Sequence, residues 1–411
     1  MTQTPVCRHC GAPLARTLVD LGLSPLANSY VPLDKADVPC PQYPLHARVC
    51  DVCFLVQVED AVPKEAIFDA DYAYFSSFSE SWLAHCQAYA QMMVPRFGLG
   101  TGSLVIEIAS NDGYLLQYFK SLGVPVLGVE PAANVAAVAE GKGVPTRMEF
   151  FSEALAKALK AEGVRPDLIC SANVLAHVPD INDFVCGLAV LLDGDAVYTV
   201  EFPHLMNMIG KVQFDTIYHE HYTYLSLVSV ERIFAAAGLR VFDVQALPTH
   251  GGSLRVFACK AAASHVAAPG LADMRAREQA AGLGRAAGYE GFEARVQKVR
   301  DDLVAFLRKA KAAGKSVAAY GAAAKGNTLL NYAGVGQDLI AYCVDRNPAK
   351  QNTLLPGSHI RVYDVDQLRQ ARPDYVLILP WNLRDEVAGQ LADLAALGTR
   401  FVVPVPALEV F

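Results

Sequence analysis

The amino-acid sequence predicts an α/β protein made of a zinc-binding N-terminal domain followed by two Rossmann-like domains, and three observations carry that expectation. Two Cys-x-x-Cys pairs stand within the first 53 residues. Short apolar, β-branched runs alternate with amphipathic helical segments between residues 103 and 245, the mark of buried parallel strands with covering helices. The same alternation resumes at Lys315, after a stretch rich in Ala, Arg, Glu and Gln. A chain of 411 residues is too long for one hydrophobic core, so two to three domains are expected.

Residues 1–60 are turn-rich and lack any helix beyond a couple of turns, and such a stretch needs a staple. From Ser76 to Phe97 apolar residues recur every three or four positions, which predicts a helix ended by Pro95. Strands are expected at 103–110, 125–131, 166–177 (with its outgoing loop) and 195–203, separated by helices at 113–123, 134–143 and 181–192. A helix and a strand follow over 228–247, and another strand over 251–260. Residues 271–313 read as a helical bridge, and 316–406 repeat the strand and helix logic. The expected domain limits are 1–70, 71–260 and 261–411.

Composition narrows the function classes. With 53% hydrophobic and 19% charged residues evenly spread, the chain reads as globular. A formal charge of -7 opposes nucleic acid as the main partner, because non-specific affinity for it is mostly counterion release by Lys and Arg. Small acidic metabolites stay open. The start carries no basic segment followed by an apolar one, and the apolar runs are short and interrupted, so neither a secretory signal nor a membrane span is expected and the cytoplasm is the default. Oligomeric state is left open, with a monomer as one option. Of ten cysteines, Cys170, Cys186 and Cys343 lie in apolar surroundings and read as buried thiols.

Cys7-x-x-Cys10 and Cys50-x-x-Cys53, separated by 39 residues, let four sulfurs turn toward one cation and close the tetrahedron that structural zinc prefers. Four thiolates leave no position for water or substrate, so this metal is expected to be structural. His9 and His46 are alternative ligands, and four reduced core cysteines are the bland reading.

The turn Glu107-Ile108-Ala109-Ser110-Asn111-Asp112-Gly113 joins a strand to a helix at the carboxyl edge of the first sheet, where ligands bind. It does not read G-x-G-x-x-G. Glu107 and Asp112 suit a zwitterion with an amino group and a sulfonium better than a pyrophosphate. Glu130, 23 residues beyond Glu107 at the next strand end, can accept hydrogen bonds from ribose hydroxyls. Together they favour S-adenosylmethionine, although each alone reads equally as a cap or a surface charge.

Tyr218-His219-Glu220-His221-Tyr222 gathers a neutral-pH base and hydroxyl donors within five residues. In strand-like backbone Tyr218, Glu220 and Tyr222 would face one way and His219 and His221 the other, an alternation a loop need not obey. Metal ligation and aromatic packing are the competing readings. Further on, Tyr320 to Asn327 follows a strand and opens a helix; small residues expose N–H groups and Lys325 offers charge, which suits a pyrophosphate or an ordinary helix entry.

The segments Cys7 to Cys10, Leu26 to Tyr30, Tyr72 to Ser77, Glu107 to Gly113, Asn173 to Val178, Tyr218 to Tyr222 and Tyr320 to Asn327 resemble the S-adenosylmethionine-dependent sugar C-methyltransferases of deoxysugar biosynthesis, and the similarity runs along nearly the whole chain. The resemblance implies a zinc-binding N-terminal domain, a central Rossmann-like methyltransferase domain and a C-terminal Rossmann-like domain enclosing a nucleotide-linked keto-deoxysugar, with thymidine diphosphate as the expected nucleotide. It implies that Asn111, Asp112 and Gly113 border the methionine part of the cofactor and Glu130 its ribose. It also places Phe151 by the adenine, where core packing is an equal reading, and Asn173 at the amino-acid end. A histidine like His221 is the family's base, with Tyr72, Tyr218, Glu220 and His177 near the reacting sugar. His219, Tyr222, Gly321, Lys325 and Asn327 are carried over as acceptor contacts, Lys325 at a diphosphate remote from the reacting carbon. Ala109 stands where a classical methyltransferase turn has Gly. Another keto acceptor, or a zinc-stabilised binding protein without catalysis, is the alternative.

Overall fold

The computed structural model describes residues 5–62 and 75–411, so Tyr72 lies outside the described residues. In the N-terminal part, strands Arg16–Ser24, Tyr43–Val49 and Val56–Gln57 pair antiparallel, the last two joined by a tight turn in which Cys50 N–H donates to the Leu55 carbonyl. This sheet takes its fourth strand, Thr223–Tyr224, from far along the chain: Thr223 pairs with Gln57 and Tyr224 with Val56. A second short ladder joins Val31–Pro32 to Thr353–Leu354. These two ladders join residues on either side of position 70.

The central sheet has seven strands in the order Leu239–Leu247, Ser253–Lys260, Val197–Pro203, Leu168–Ala172, Val105–Ile108, Val126–Val129, Thr146–Arg147. Ser253–Lys260 runs antiparallel to both neighbours and every other neighbouring pair is parallel. Strands such as Val105–Ile108 are buried at every position because helices cover both faces, which is why they read as unbroken apolar runs. The helix Glu80–Phe97 is capped by the Ser79 hydroxyl and closed by Gly98 in left-handed conformation, with Pro95 in its last turn as the sequence predicts.

The bridge departs from expectation. Residues 271–313 hold two helices, Pro269–Ala280 and Phe292–Ala312, instead of one run. Between them Gly282 and Gly288 meet so closely that a Cβ on Gly288 would lie 2.2 Å from the Gly282 carbonyl oxygen, a contact only glycine permits. Helical composition on either side masks that break. The second helix lays Phe292, Val296, Leu303 and Leu307 into a core that contains Leu18 and Val56 of the N-terminal sheet, Phe214 and Ile217 of the central part, and Leu329 and Leu377 of the C-terminal part. The C-terminal sheet runs Val362–Tyr363, Cys343–Val344, Val317–Tyr320, Tyr375–Ile378, Arg400–Val403, Glu409–Val410; only the last is antiparallel. Among the described residues no helix is long and apolar enough to cross a membrane.

Candidate active site

At the carboxyl edge of the central sheet the backbone turns sharply at three non-glycine positions: Ala109 (φ 57°), Asn111 (φ 47°) and Asn173 (φ 58°), with Gly113 at φ 75°. Left-handed backbone suits Gly and Asn; at Ala109 it costs on the order of 1 to 2 kcal/mol. The Glu130 carboxylate sews two turns together, accepting from Asn111 N–H and Ala132 N–H, each at 2.9 Å. Each of its oxygens keeps a second lone pair.

Around this edge lie buried polar atoms without a hydrogen bond among the described residues, Ser110 Oγ, Asp112 Oδ1 and Asn173 Oδ1, beside the buried Glu107 carboxylate, which has the Tyr114 hydroxyl as a neighbour. Burial pushes the Glu107 acid well above the usual carboxylate range, opposed by the nearby Tyr114 hydroxyl. The other Asp112 oxygen is 3.3 Å from Lys142 Nζ. Buried polar groups are almost always paired, so this cluster calls for a ligand that brings donors and positive charge. Phe151 stands edge-on to Phe184 at 5.1 Å and wedges against Gly187, at the margin of the same edge.

The second wall is a turn. His221 N–H donates to the Tyr218 carbonyl, which brings the two rings to 4.0 Å. A carbonyl only accepts, so the 3.0 Å contact of His221 Nδ1 with Thr216 O places the proton on Nδ1, and Nε2 accepts from the Tyr218 hydroxyl at 2.8 Å. His177 stands edge-on to His221 at 4.6 Å and donates to the Glu220 backbone. Burial lowers His177 to about 4. His221 is lowered well below its ordinary value, by burial first and then by its electrostatic coupling to His177, His250 and Lys325. Both Glu220 oxygens face Asn28 Nδ2 at 2.8 Å, and burial raises its acid.

Two residues expected at the acceptor lie elsewhere. His219 Nε2–H donates to Pro44 O at 3.2 Å and its ring meets Tyr43, so it faces the N-terminal sheet. Tyr222 is 1% exposed beneath Arg8, with its carbonyl accepting Val58 N–H. Strand-like alternation is lost because the turn ends in the pairing of Thr223–Tyr224 with the N-terminal sheet.

In the C-terminal part Gly321 has φ 90° and a Cβ there would stand 2.5 Å from Pro380. Lys325 Nζ donates to Asn382 at 2.6 Å and lies 4.7 Å from the centre of the Trp381 ring. Trp381 Nε1–H donates at 2.6 Å to Asp215, which is fully buried and raised to about 6 by burial against the opposing charge of Lys325. Lys325 also acts electrostatically on His221. Asn327, in the helix Ala324–Ala333, is also buried, donating to Ala27 O at 2.7 Å, and ties the N-terminal loop to that helix.

The four cysteine sulfurs lie within 4.8 Å of one another, with Cys7 and Cys53 at 3.5 Å and Cys10 and Cys50 at 3.4 Å. Zinc–sulfur bonds of about 2.3 Å in a tetrahedron separate sulfurs by roughly 3.8 Å, so the donor set fits one zinc ion. His9 and His46 are engaged with Asn182 and Thr17 instead.

Three family models match in the same order: a zinc binding domain over 7–68, a methyltransferase domain over 82–244 and a C-methyltransferase C-terminal domain over 248–406. The C-methyltransferase NovU of Streptomyces niveus is 36% identical over 400 residues, covering 97% of this chain and 95% of that protein. The chain belongs to this C-methyltransferase family. Like the family it is an S-adenosylmethionine-dependent enzyme with a zinc site formed by four cysteines. Among solved structures, magnesium protoporphyrin IX methyltransferase of Synechocystis PCC 6803 with bound cofactor is 16% identical, covering 49% of this chain and 100% of that one at a TM-score of 0.35. A methyltransferase of Archaeoglobus fulgidus is 14% identical, covering 43% and 94% at 0.36.

The C-methyltransferase also holds polar groups that sequence reasoning missed. Glu201 accepts from His85 (2.8 Å), Thr249 (2.8 Å) and Arg255 (3.0 Å), and His85 and Arg255 line, with Met92 and Gln245, a cleft of about 510 Å³. Arg255 is the cross-strand partner of Glu201. The available signal was one acid and one base interrupting otherwise apolar strands.

Proposed function

We propose that this enzyme methylates the ring carbon beside the ketone of a nucleotide-linked 4-keto-deoxysugar, with thymidine diphosphate as the nucleotide, after deprotonation to an enolate. The observation that carries the reading is the Tyr218–His221 pair, an uncharged imidazole whose proton is held on Nδ1 by Thr216. The family resemblance and the 36% identical relative support the acceptor class.

A carbon beside a ketone becomes a nucleophile only after losing a proton, which needs a base near the carbon and donors at the developing oxyanion. His221 Nε2 takes that proton, and the Tyr218 hydroxyl it frees hydrogen-bonds the enolate oxygen. Because the imidazole is held well below its ordinary pKa, its basic form is present throughout the neutral range. When bound, S-adenosylmethionine supplies an electrophilic methyl group. Glu107 and Asp112 hold its ammonium end with Asn173, Asn111 and Gly113, Glu130 uses its spare lone pairs on the ribose, and Phe151 borders the adenine. Glu220 and His177 orient the sugar and the His221 ring, Tyr72 adds a hydroxyl, and Gly321 and Lys325 receive the diphosphate.

Incubation with methyl-labelled cofactor and a panel of nucleotide-linked 4-keto sugars tests this, with NMR of the product locating the methyl on the carbon next to the ketone. A methyl on oxygen, or no turnover of any 4-keto sugar, overturns it. Glu130→Ala weakens cofactor binding by about 1 to 3 kcal/mol in calorimetry; unchanged affinity would remove the ribose from this carboxylate. Lys325→Ala raises the acceptor KM. Removing its positive charge also lets the His221 pKa rise, so the acid limb of the kcat/KM profile moves to higher pH. Selective loss of cofactor affinity would contradict that placement.

A further inference from the structure

His250 sits in the short turn Thr249–Gly251 that joins the last two strands of the central sheet, with backbone φ 52° and ψ 28°. Left-handed backbone at a non-glycine residue persists only where the surroundings overdetermine it, and such positions cluster at functional sites. The surroundings here do overdetermine it. A Cβ on Gly251 would lie 2.5 Å from Trp381, and one on Gly252 would lie 2.5 Å from Asn207. The Gly251 carbonyl accepts from Lys211 (3.1 Å) and Gln213 (3.0 Å), and the Gly252 carbonyl from His204 N–H (3.0 Å) and Asn207 (3.1 Å). Thr249 is held on Glu201 at 2.8 Å. Every neighbour in the turn is fixed, while the imidazole of His250 remains exposed and makes no hydrogen bond among the described residues; Trp82 braces it edge-on at 5.5 Å.

The charges that bear on this ring come from two domains: Lys325 from the C-terminal part, Glu201 and His85 from the central part. His250 in turn bears on His221. The adjoining Gly251 packs on Trp381, whose ring lies 4.7 Å from Lys325 Nζ and whose N–H reaches Asp215 at 2.6 Å, so the turn stands beside the proposed diphosphate site. Neither the sequence pattern nor the family models assign it a role.

We propose that His250 donates an N–H hydrogen bond to the developing enolate oxygen of the acceptor, as the second donor beside Tyr218; this rests on the proton-abstraction reading above. The balance is simple. The C–H proton goes to His221, its electron pair forms the carbon–carbon double bond, and the carbonyl π pair moves to oxygen, where His250 and Tyr218 hydrogen-bond it without giving up their protons. In the transfer that follows, the carbon–carbon π pair would form the bond to the methyl group, the methyl–sulfonium bond would break with its pair left on the departing thioether sulfur, and the pair on oxygen would re-form the ketone. The Lys325 charge disfavours protonation of His250, so in the neutral range the ring is uncharged and each tautomer keeps one N–H. A neutral imidazole is a weaker acid than imidazolium and holds its proton while stabilising an enolate.

His250→Gly is the informative variant, because glycine adopts the left-handed backbone freely and leaves the turn intact. Loss of one oxyanion donor lowers kcat about 100-fold or more, with cofactor affinity and acceptor KM within a few-fold of the parent. Solvent deuterium exchange at the acceptor carbon falls in step. His250→Asn, which tolerates the same backbone and keeps an N–H donor, recovers at least tenfold of the lost kcat. An unchanged kcat in His250→Gly, or a loss confined to KM, overturns the assignment, as does an Asn variant no better than Gly. The parent enzyme in the same assay separates the two readings: a parent that neither exchanges nor C-methylates sinks proton abstraction itself, whereas an active parent beside an equally active glycine variant sinks His250 alone.

Discussion

His221→Asn keeps the fold and binds S-adenosylmethionine, yet loses solvent deuterium exchange at the acceptor carbon together with methyl transfer, each by about 10²- to 10⁴-fold, the range for removing a general base. The reason is the wiring of one ring. With Nδ1–H spent on Thr216 O, Nε2 is the nitrogen free to accept a proton, and the Tyr218 hydroxyl already marks its lone pair. An Asn side chain is a far weaker base in that place. His219→Asn keeps most of the exchange, because His219 spends its Nε2–H on Pro44 at the N-terminal sheet. The measurement is proton exchange by NMR with a cofactor analogue that cannot transfer methyl. Exchange and methylation at the parent rate in His221→Asn would move the base to His177 or a tyrosinate.

Cys50→Ser, or prolonged chelation, costs the enzyme its zinc and with it the N-terminal fold. Apparent binding free energies of structural zinc are about 10 to 16 kcal/mol, as large as the whole stability of a typical domain. Cys50 is fully buried, and its sulfur also receives the N–H groups of Val52 (3.4 Å) and Cys53 (3.5 Å), so serine loses a knuckle as well as a ligand. The effect spreads to the reaction because the N-terminal sheet carries Thr223–Tyr224, two residues past His221. Acceptor chemistry is therefore expected to be lost before cofactor binding, for which Glu107 to Glu130 are the proposed residues. Metal analysis, thermal unfolding and cofactor calorimetry on the same preparation read this order. A zinc-free preparation in reducing buffer with full activity would reject it.

Much of this architecture was legible in the order of residues. The four-cysteine spacing is local chemistry, and the parallel sheet announces itself through strands buried on both faces. Glu107 and Glu130 stood out as acids ending apolar runs, and both lie buried at the carboxyl edge. What stayed hidden came from distance in sequence. Nothing local to Thr223–Tyr224 says that it completes a sheet begun at Arg16, and that pairing turns His219 toward Pro44 and Tyr222 beneath Arg8, away from any simple strand-like alternation. Asp215 is one carboxylate in a short turn until Trp381, 166 residues later, reaches it. The break in the helical bridge was in plain view as four glycines between 282 and 291, outweighed by the Ala-rich and Arg-rich sequence around them.

The shared N-terminal sheet bears on how the polypeptide is made. The first 57 residues leave the ribosome well before residue 223, so the Val56–Gln57 edge emerges with open N–H and C=O groups and no partner. An open edge of that kind pairs with whatever strand is near, including one on another nascent chain. Zinc capture at Cys7, Cys10, Cys50 and Cys53 needs only those early residues, and it holds the edge in one register until its distant partner arrives. On this view metal starvation during synthesis yields aggregate, whereas metal withdrawn from the finished enzyme must first unseat a strand that is already paired.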